Sequence, residues 1–162
     1  MATDVNQYLG NPNLKKANVP VEFTKEQIQE YQKCMDDPVY FIQEYMKIVS
    51  LDEGLVPFKM YDFQKTMVNT FHDNRFTICK LPRQSGKSTT IIAYLLHFVL
   101  FNPNVNVAIL ANKSSTARDI LGRLQLGYEH LPKWLQQGVI SWNKGSLDLE
   151  NGSSILAAST SA

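Results

Sequence analysis

Residues 76–101 constrain this chain more than any other stretch, because a short β-like run, a glycine-bearing polar loop and a long apolar helix follow one another without a gap. Phe76-Thr77-Ile78-Cys79-Lys80-Leu81 is apolar and partly β-branched, whereas Ile91 to Phe101 has the length and apolarity of a buried helix. Between them lies Leu81-Pro82-Arg83-Gln84-Ser85-Gly86-Lys87-Ser88-Thr89. A glycine at the mouth of a helix lets the main chain approach an anion closely, and the first-turn N–H groups face that anion with the positive end of the helix dipole behind them. The stretch therefore reads as a phosphate-binding loop in which Lys87 reaches β- and γ-phosphates and the Ser88 hydroxyl holds Mg²⁺. It departs from the usual Gly-x-x-x-x-Gly-Lys-Ser/Thr pattern, since Leu81 occupies the first glycine position. The competing interpretation is an ordinary polar helix entry, with Ser85 or Ser88 as N-cap and Lys87 solvated. A buried strand and a buried helix on either side argue against it.

Composition places the chain among globular proteins. Its 162 residues are 44% hydrophobic and 19% charged, with a formal net charge of +1, so charge alone names no partner; a local basic track on a neutral surface stays compatible with nucleic acid. The length suits one domain or part of one, and is short for a motor ATPase domain. Cys34 and Cys79 are read as free thiols. No charged-then-apolar leader opens the chain, and the longest apolar run, Ile91 to Phe101, is interrupted by Tyr94 and His97 and is too short to span a bilayer. A reducing, cytoplasmic setting is expected.

Residues 1–20, rich in Asn, Lys and Pro without periodicity, are expected to form a flexible arm; 21–74 a helical region; and 75–162 a partial ATPase core. Thr24-Lys25-Glu26-Gln27 is a capping-box signature opening a helix to about Met35. Asp36-Asp37-Pro38 starts a second, to about Ile48, with Phe41, Ile42, Tyr45, Met46 and Val49 on its apolar face. Gly54 to Phe58 reads as a turn. Tyr61 to Phe71 reads as a third helix burying Phe63, Met67, Val68 and Phe71. Beyond the loop helix, Asn106 to Ala111 is an expected strand, and Ser114-Ser115-Thr116 caps a helix burying Ile120, Leu121 and Leu124 that Pro132 terminates. Gly138 to Trp142 is a further strand, and Ser146–Leu149 pairs with Ser154–Ala158 through a hairpin at Asn151-Gly152. Strand–helix–strand alternation predicts an α/β fold: a P-loop-type parallel sheet with helices on both faces, preceded by N-terminal helices and carrying an antiparallel hairpin at its edge.

Gln64, on the third helix upstream of the loop, carries an amide that both donates and accepts and so matches an adenine edge. Tyr61 is a candidate to stack on the base, with a core role equally open. His72, His97 and His130 lack metal-ligand spacing and are read as structural or solvated. Trp134 and Trp142 are read as core residues, with a partner contact as the alternative for Trp134.

Tyr61-Asp62-Phe63-Gln64, Arg83-Gln84-Ser85-Gly86-Lys87-Ser88-Thr89, Val107-Ala108-Ile109-Leu110-Ala111-Asn112-Lys113, Trp142-Asn143-Lys144-Gly145-Ser146 and Leu149-Glu150-Asn151-Gly152-Ser153-Ser154-Ile155 together resemble the ATPase portion of the large terminase subunit of tailed bacteriophages, T-even-like myoviruses above all. Large terminases commonly lack the first glycine of the loop and carry a basic residue just inside it, so Leu81 and Arg83 fit the resemblance. The resemblance implies a helicase-like ATPase core that uses ATP and Mg²⁺ to drive double-stranded DNA into procapsids, with a nuclease domain elsewhere in the full-length enzyme. It implies that Lys87 and Arg83 are catalytic, that Gln64, Arg83, Gln84, Ser85, Gly86, Lys87, Ser88 and Thr89 bind nucleotide, and that Ser88 ligates the metal. Lys113, Ser114 and Arg118 stand where helicase-like motors meet the nucleic-acid backbone. A portal protein, a small terminase subunit and a homo-oligomeric ring are the implied partners, and the host cytoplasm, with transient residence at the procapsid portal, the implied location.

No four-apolar-plus-Asp-Glu segment follows the loop before Ala162, so the general base for hydrolysis is expected to lie outside this sequence and the isolated chain to turn over little ATP. Three alternatives share some of these features. They are a superfamily 2 helicase or translocase, a small-molecule kinase, and a non-catalytic ATP-binding module.

Overall fold

The computed structural model describes residues 6–50 and 52–160. Helix α1, Lys25–Asp36, opens with the expected box: the Thr24 hydroxyl accepts the Gln27 N–H at 3.2 Å, and Gln27 Oε1 accepts the Thr24 N–H at 3.0 Å. The Asp37 carboxylate then caps α2, Pro38–Tyr45, through the Tyr40 N–H at 2.9 Å, with Pro38 in the first turn. This helix stops earlier than expected. The β-branched pair Ile48-Val49 lies instead in a strand, β3 (Lys47–Ser50), which pairs antiparallel with β4 (Gly54–Pro57), the stretch expected to be a turn. Val49 is 63% exposed, not part of an apolar helix face.

Helix α3, Asp62–Asp73, buries Met67 and Val68 as expected, but its inward row also takes Gln64, while Phe63 is 40% exposed and Phe71 half-buried. Helix α4, Lys87–Phe101, is lined on its inner side by Ile92, Ala93, Leu96, Val99 and Leu100. It packs on α5, Ser114–Glu129, which buries Ala117, Leu121, Leu124 and Tyr128. The N-cap position of α5 is Lys113 and carries no side-chain cap bond, so Ser114, Ser115 and Thr116 lie inside the first turn. Among the described residues no helix is long and apolar enough to cross a membrane.

Four strands form the main sheet: β5 (Asn106–Ala111), β6 (Val139–Trp142), β7 (Ser146–Leu149) and β8 (Ser154–Ser159), in the order β5-β8-β7-β6. The β5–β8 pair is parallel, from Asn106 opposite Ser154 to Ala111 opposite Ser159, whereas β7–β8 and β6–β7 are antiparallel. The sheet is therefore mixed, with one parallel pair among the described residues, where alternation of strands and helices predicted a parallel array. The β7–β8 hairpin arises where Asn151-Gly152 predicted it, with Gly152 at φ +81°. The inner face presents Ile109, Val139, Leu147, Leu149 and Ile155 to the helices. On the opposite face Leu110, Ile140 and Leu156 are 61%, 57% and 54% exposed, so helices cover one side of the sheet rather than both.

Two further differences concern the chain's ends of order. Residues 76–81, expected as a strand, join no sheet among the described residues; Phe76 and Ile78 are 83% and 98% exposed, and Cys79 is exposed rather than buried. A β-rich sequence describes a half-buried pleated surface and needs a neighbour to pair with. Conversely, within residues 1–20, expected as a flexible arm, of which 1–5 lie outside the described residues, the chain forms a hairpin of β1 (Gln7–Tyr8) and β2 (Asn11–Lys15), after which Lys16 bridges Val139 at the β6 edge. Two side chains fasten this arm. Buried Gln136 accepts the Lys15 N–H at 3.0 Å and donates to the Asn13 carbonyl at 2.9 Å. Glu150 accepts from Lys15 Nζ at 2.9 Å, the Asn18 N–H at 2.8 Å and the Gly138 N–H at 2.6 Å.

Candidate functional site

The sequence of the loop dictates its unusual backbone. Gln84 and Gly86 take φ of +61° and +75°, separated by Ser85, and this alternation leads directly into α4. Successive turns of that kind form an anion-binding concavity of N–H groups, and the first turn of any helix leaves N–H groups without intrahelical acceptors. The Thr90 N–H closes on the Gly86 carbonyl at 3.0 Å, while among the described residues the N–H groups of Lys87, Ser88 and Thr89 have no protein acceptor. Two side chains brace the loop from within, Ser85 Oγ and Lys87 Nζ both donating to the Pro82 carbonyl at 3.0 Å. Ser85 is therefore not an N-cap of α4; that position belongs to Gly86, which has no side chain to offer.

Gln64 meets this loop across space. It is 2% exposed, its Oε1 accepts the Tyr61 N–H at 2.9 Å, and its Nε2 lies 2.6 Å from where a Cβ on Gly86 would stand. The glycine is thus demanded twice, by its positive φ and by the amide beside it. A cavity of about 400 Å³ opens where the two elements meet, lined by Ile48, Phe58, Lys59, Tyr61, Phe63 and Gln64 on one side and by Gln84, Ser85, Gly86 and Thr89 on the other. Tyr61, 71% exposed, stacks on Phe63 with ring centroids 6.0 Å apart and planes within 9°, so it lines the cavity and is no core residue.

Of the residues singled out from sequence, Gln64, Gln84, Ser85, Gly86 and Thr89 converge on this one cavity. Lys87 sits half-buried at the loop's rim, and Arg83 and Ser88 are exposed beside it; Arg83 has no ion pair among the described residues. Sequence reasoning did not find Ile48, Phe58, Lys59 or Phe63. Phe63 was assigned to the core one position out of phase, and the segment 58–60 just ahead of α3 was the available signal. Lys113, Ser114 and Arg118 lie exposed at the start of α5, outside the cavity lining. Among the described residues no three His, Cys, Asp or Glu side chains converge in a way that would hold a metal ion.

His97 shows how a histidine in this chain is used structurally. It is 1% exposed, packed against Phe41, Tyr94 and Phe101, and its Nε2–H donates to the Cys34 carbonyl at 2.9 Å, which leaves Nδ1 as a buried acceptor with no partner. Burial pushes its pKa down to about 4, so the ring is neutral.

Comparison with known proteins adds two findings. The sequence profile described as "Terminase large subunit, T4likevirus-type, N-terminal" matches residues 78–162. The crystal structure of the HK97 bacteriophage large terminase is similar in fold, with a TM-score of 0.63 at 19% identity over 79% of this chain. The chain spans 28% of the length of that relative.

Proposed function

The chain belongs to the T4-like large terminase family, N-terminal type, and from that premise we propose that it is the nucleotide-binding portion of a viral DNA-packaging ATPase. The observation that carries this reading is the meeting of Gln64 with Gly86 at a cavity of about 400 Å³. One wall offers the loop residues Gln84, Ser85 and Gly86 with Thr89 of the first turn, whose unpaired N–H suits a phosphate, and the other offers aromatic rings and an amide suited to a base. In this reading residues 75–162 supply part of a P-loop core that includes the parallel β5–β8 pair, and residues 21–74 supply the base-side helix.

ATP with Mg²⁺ is the group the site fits, supplying a phosphoanhydride whose hydrolysis powers DNA movement in the full-length motor. The chain's own residues bind and orient it. Lys87 leaves the Pro82 carbonyl to neutralise β- and γ-phosphate oxygens, the loop N–H groups donate to the phosphate oxygens between them, and the exposed Ser88 hydroxyl is free to take a metal ion. Arg83, exposed and without an ion pair among the described residues, is available to the terminal phosphate. In the full-length protein the same reading extends to double-stranded DNA, a portal protein and a small terminase subunit as partners, to a homo-oligomeric ring, and to the host cytoplasm.

Titrating the chain with a fluorescent ATP analogue and Mg²⁺ tests the assignment. Lys87→Ala and Gly86→Ala are each expected to weaken binding by about tenfold or more, the first through lost charge and the second through its Cβ against Gln64. Equal binding by wild type and Lys87→Ala would remove the site.

A further inference from the structure

The loop closes on a single acceptor, the Pro82 carbonyl. Among the described residues no backbone N–H donates to it; its donors are two side chains, Ser85 Oγ from three positions on and Lys87 Nζ from five, each at 3.0 Å. Both bonds span Gln84, whose φ of +61° is a left-handed conformation that a residue with a side chain keeps only where its surroundings enforce it. The two donors differ in what else attracts them. The Lys87 ammonium carries the charge that phosphate oxygens draw, whereas the Ser85 hydroxyl is neutral and sits on a short side chain. When phosphate takes Lys87 away, one of the two bonds across Gln84 is lost at the moment the N–H concavity has to keep its shape.

We propose that Ser85 is a positioning residue of the phosphate loop, whose bond to Pro82 keeps the turn around Gln84 closed while Lys87 is on the phosphates. The inference rests on the nucleotide-binding reading given above and deepens it. Ser85 acts through the backbone it fixes, since its hydroxyl proton is already given to the Pro82 carbonyl. A carbonyl oxygen has two lone pairs and accommodates both donors at once, so Ser85 keeps its bond as Lys87 comes and goes. In the empty chain the loss of the hydroxyl is nearly silent, because Lys87 still bridges the same span. In the occupied chain the same loss leaves no side-chain donor on Pro82. Gln84 then relaxes toward negative φ, which costs a residue with a Cβ less, and the N–H groups around Ser85 no longer face one point. Pro82 brings no N–H of its own with which the turn could be closed another way.

The test is binding of ATP and of inorganic tripolyphosphate, each with Mg²⁺, to the whole chain and to Ser85→Ala, together with the HN–Hα coupling of Gln84 by NMR, which reports φ. Ser85→Ala is expected to weaken ATP and tripolyphosphate alike, by about threefold or more, because the loss lies on the phosphate side. The Gln84 coupling is expected to match the wild type in the empty variant and to depart from it once the loop is saturated with tripolyphosphate. Circular dichroism of the empty chains verifies that the variant keeps the fold. Three results overturn the inference: tripolyphosphate bound by Ser85→Ala as tightly as by the wild type; ATP weakened alone, which would place the hydroxyl on base or ribose; or a Gln84 coupling already altered in the empty variant, which would make Ser85 an ordinary brace of the fold. Failure of the wild type to bind either ATP or tripolyphosphate would overturn the nucleotide reading, and this inference with it, so the two failures are distinguishable.

Discussion

His97 carries a pH dependence that follows from one buried nitrogen. Its ring neighbours are Phe41, Tyr94, Phe101 and His72, with the Cys34 carbonyl taking its one N–H; burial, seconded by His72, outweighs the Cys34 and Met35 carbonyls and Asp37, which favour the charged ring. In the unfolded chain the ring takes up a proton below its ordinary value of 6.5, while in the folded chain it resists until about pH 4. The folded pKa is the depressed one. Stability from this residue is therefore complete above pH 6.5 and is lost as pH falls toward 4, by roughly 3 kcal/mol. Urea unfolding at several pH values should show that slope in the wild type and a flatter one in His97→Gln; identical slopes would mean that the ring is already charged in the fold. The same residue scale decides the glycine of the loop, where a methyl group would strike the Gln64 amide before any question of ligand arises.

At the scale of elements, residues 76–81 stand apart from every other apolar run in the chain. Amide hydrogen exchange at 76–80 is expected to be as fast as in an unstructured peptide, while the alternate amides of β5 that face β8, at 107, 109 and 111, are protected; protection at 76–80 would show a paired strand instead. The contrast marks what local sequence encodes. The Thr24 box, the Asp37-Pro38 start, the Asn151-Gly152 hairpin and the polar entry to α4 were legible because each is made by residues within four positions of one another. Ile48-Val49 misled because an apolar pair fits the end of a helix as well as a short strand, and only pairing with β4 settles it. Gln64 stood out in the sequence as a candidate, and it lines the cavity beside the loop. Its burial in place of Phe63 was not, because one position of rotation on α3 is below what a helical pattern resolves and is fixed by contact with Gly86, far away in sequence.

Across the whole molecule, the N-terminal arm is held by contacts no local pattern announces: Gln136 reaches Lys15 over 121 positions and Glu150 reaches Asn18 over 132. Burial pushes the Glu150 carboxyl up, but hydrogen bonds from Lys15, Gly138 and Asn18 outweigh it and hold the group below the usual carboxylate range. Glu150→Ala leaves those donors facing a void. It is expected to cost roughly 2–4 kcal/mol and to make residues 16–20 a new cleavage site in limited proteolysis, with an unchanged digestion pattern excluding the clasp. The contact between Gln64 and Gly86 also reaches beyond its own size. Because the amide is wedged against the hinge of the loop, α3 and the start of α4 behave as two arms of a lever sharing one fulcrum. Neither arm can move toward the other without the amide striking the loop backbone, so the two are spaced by this one contact.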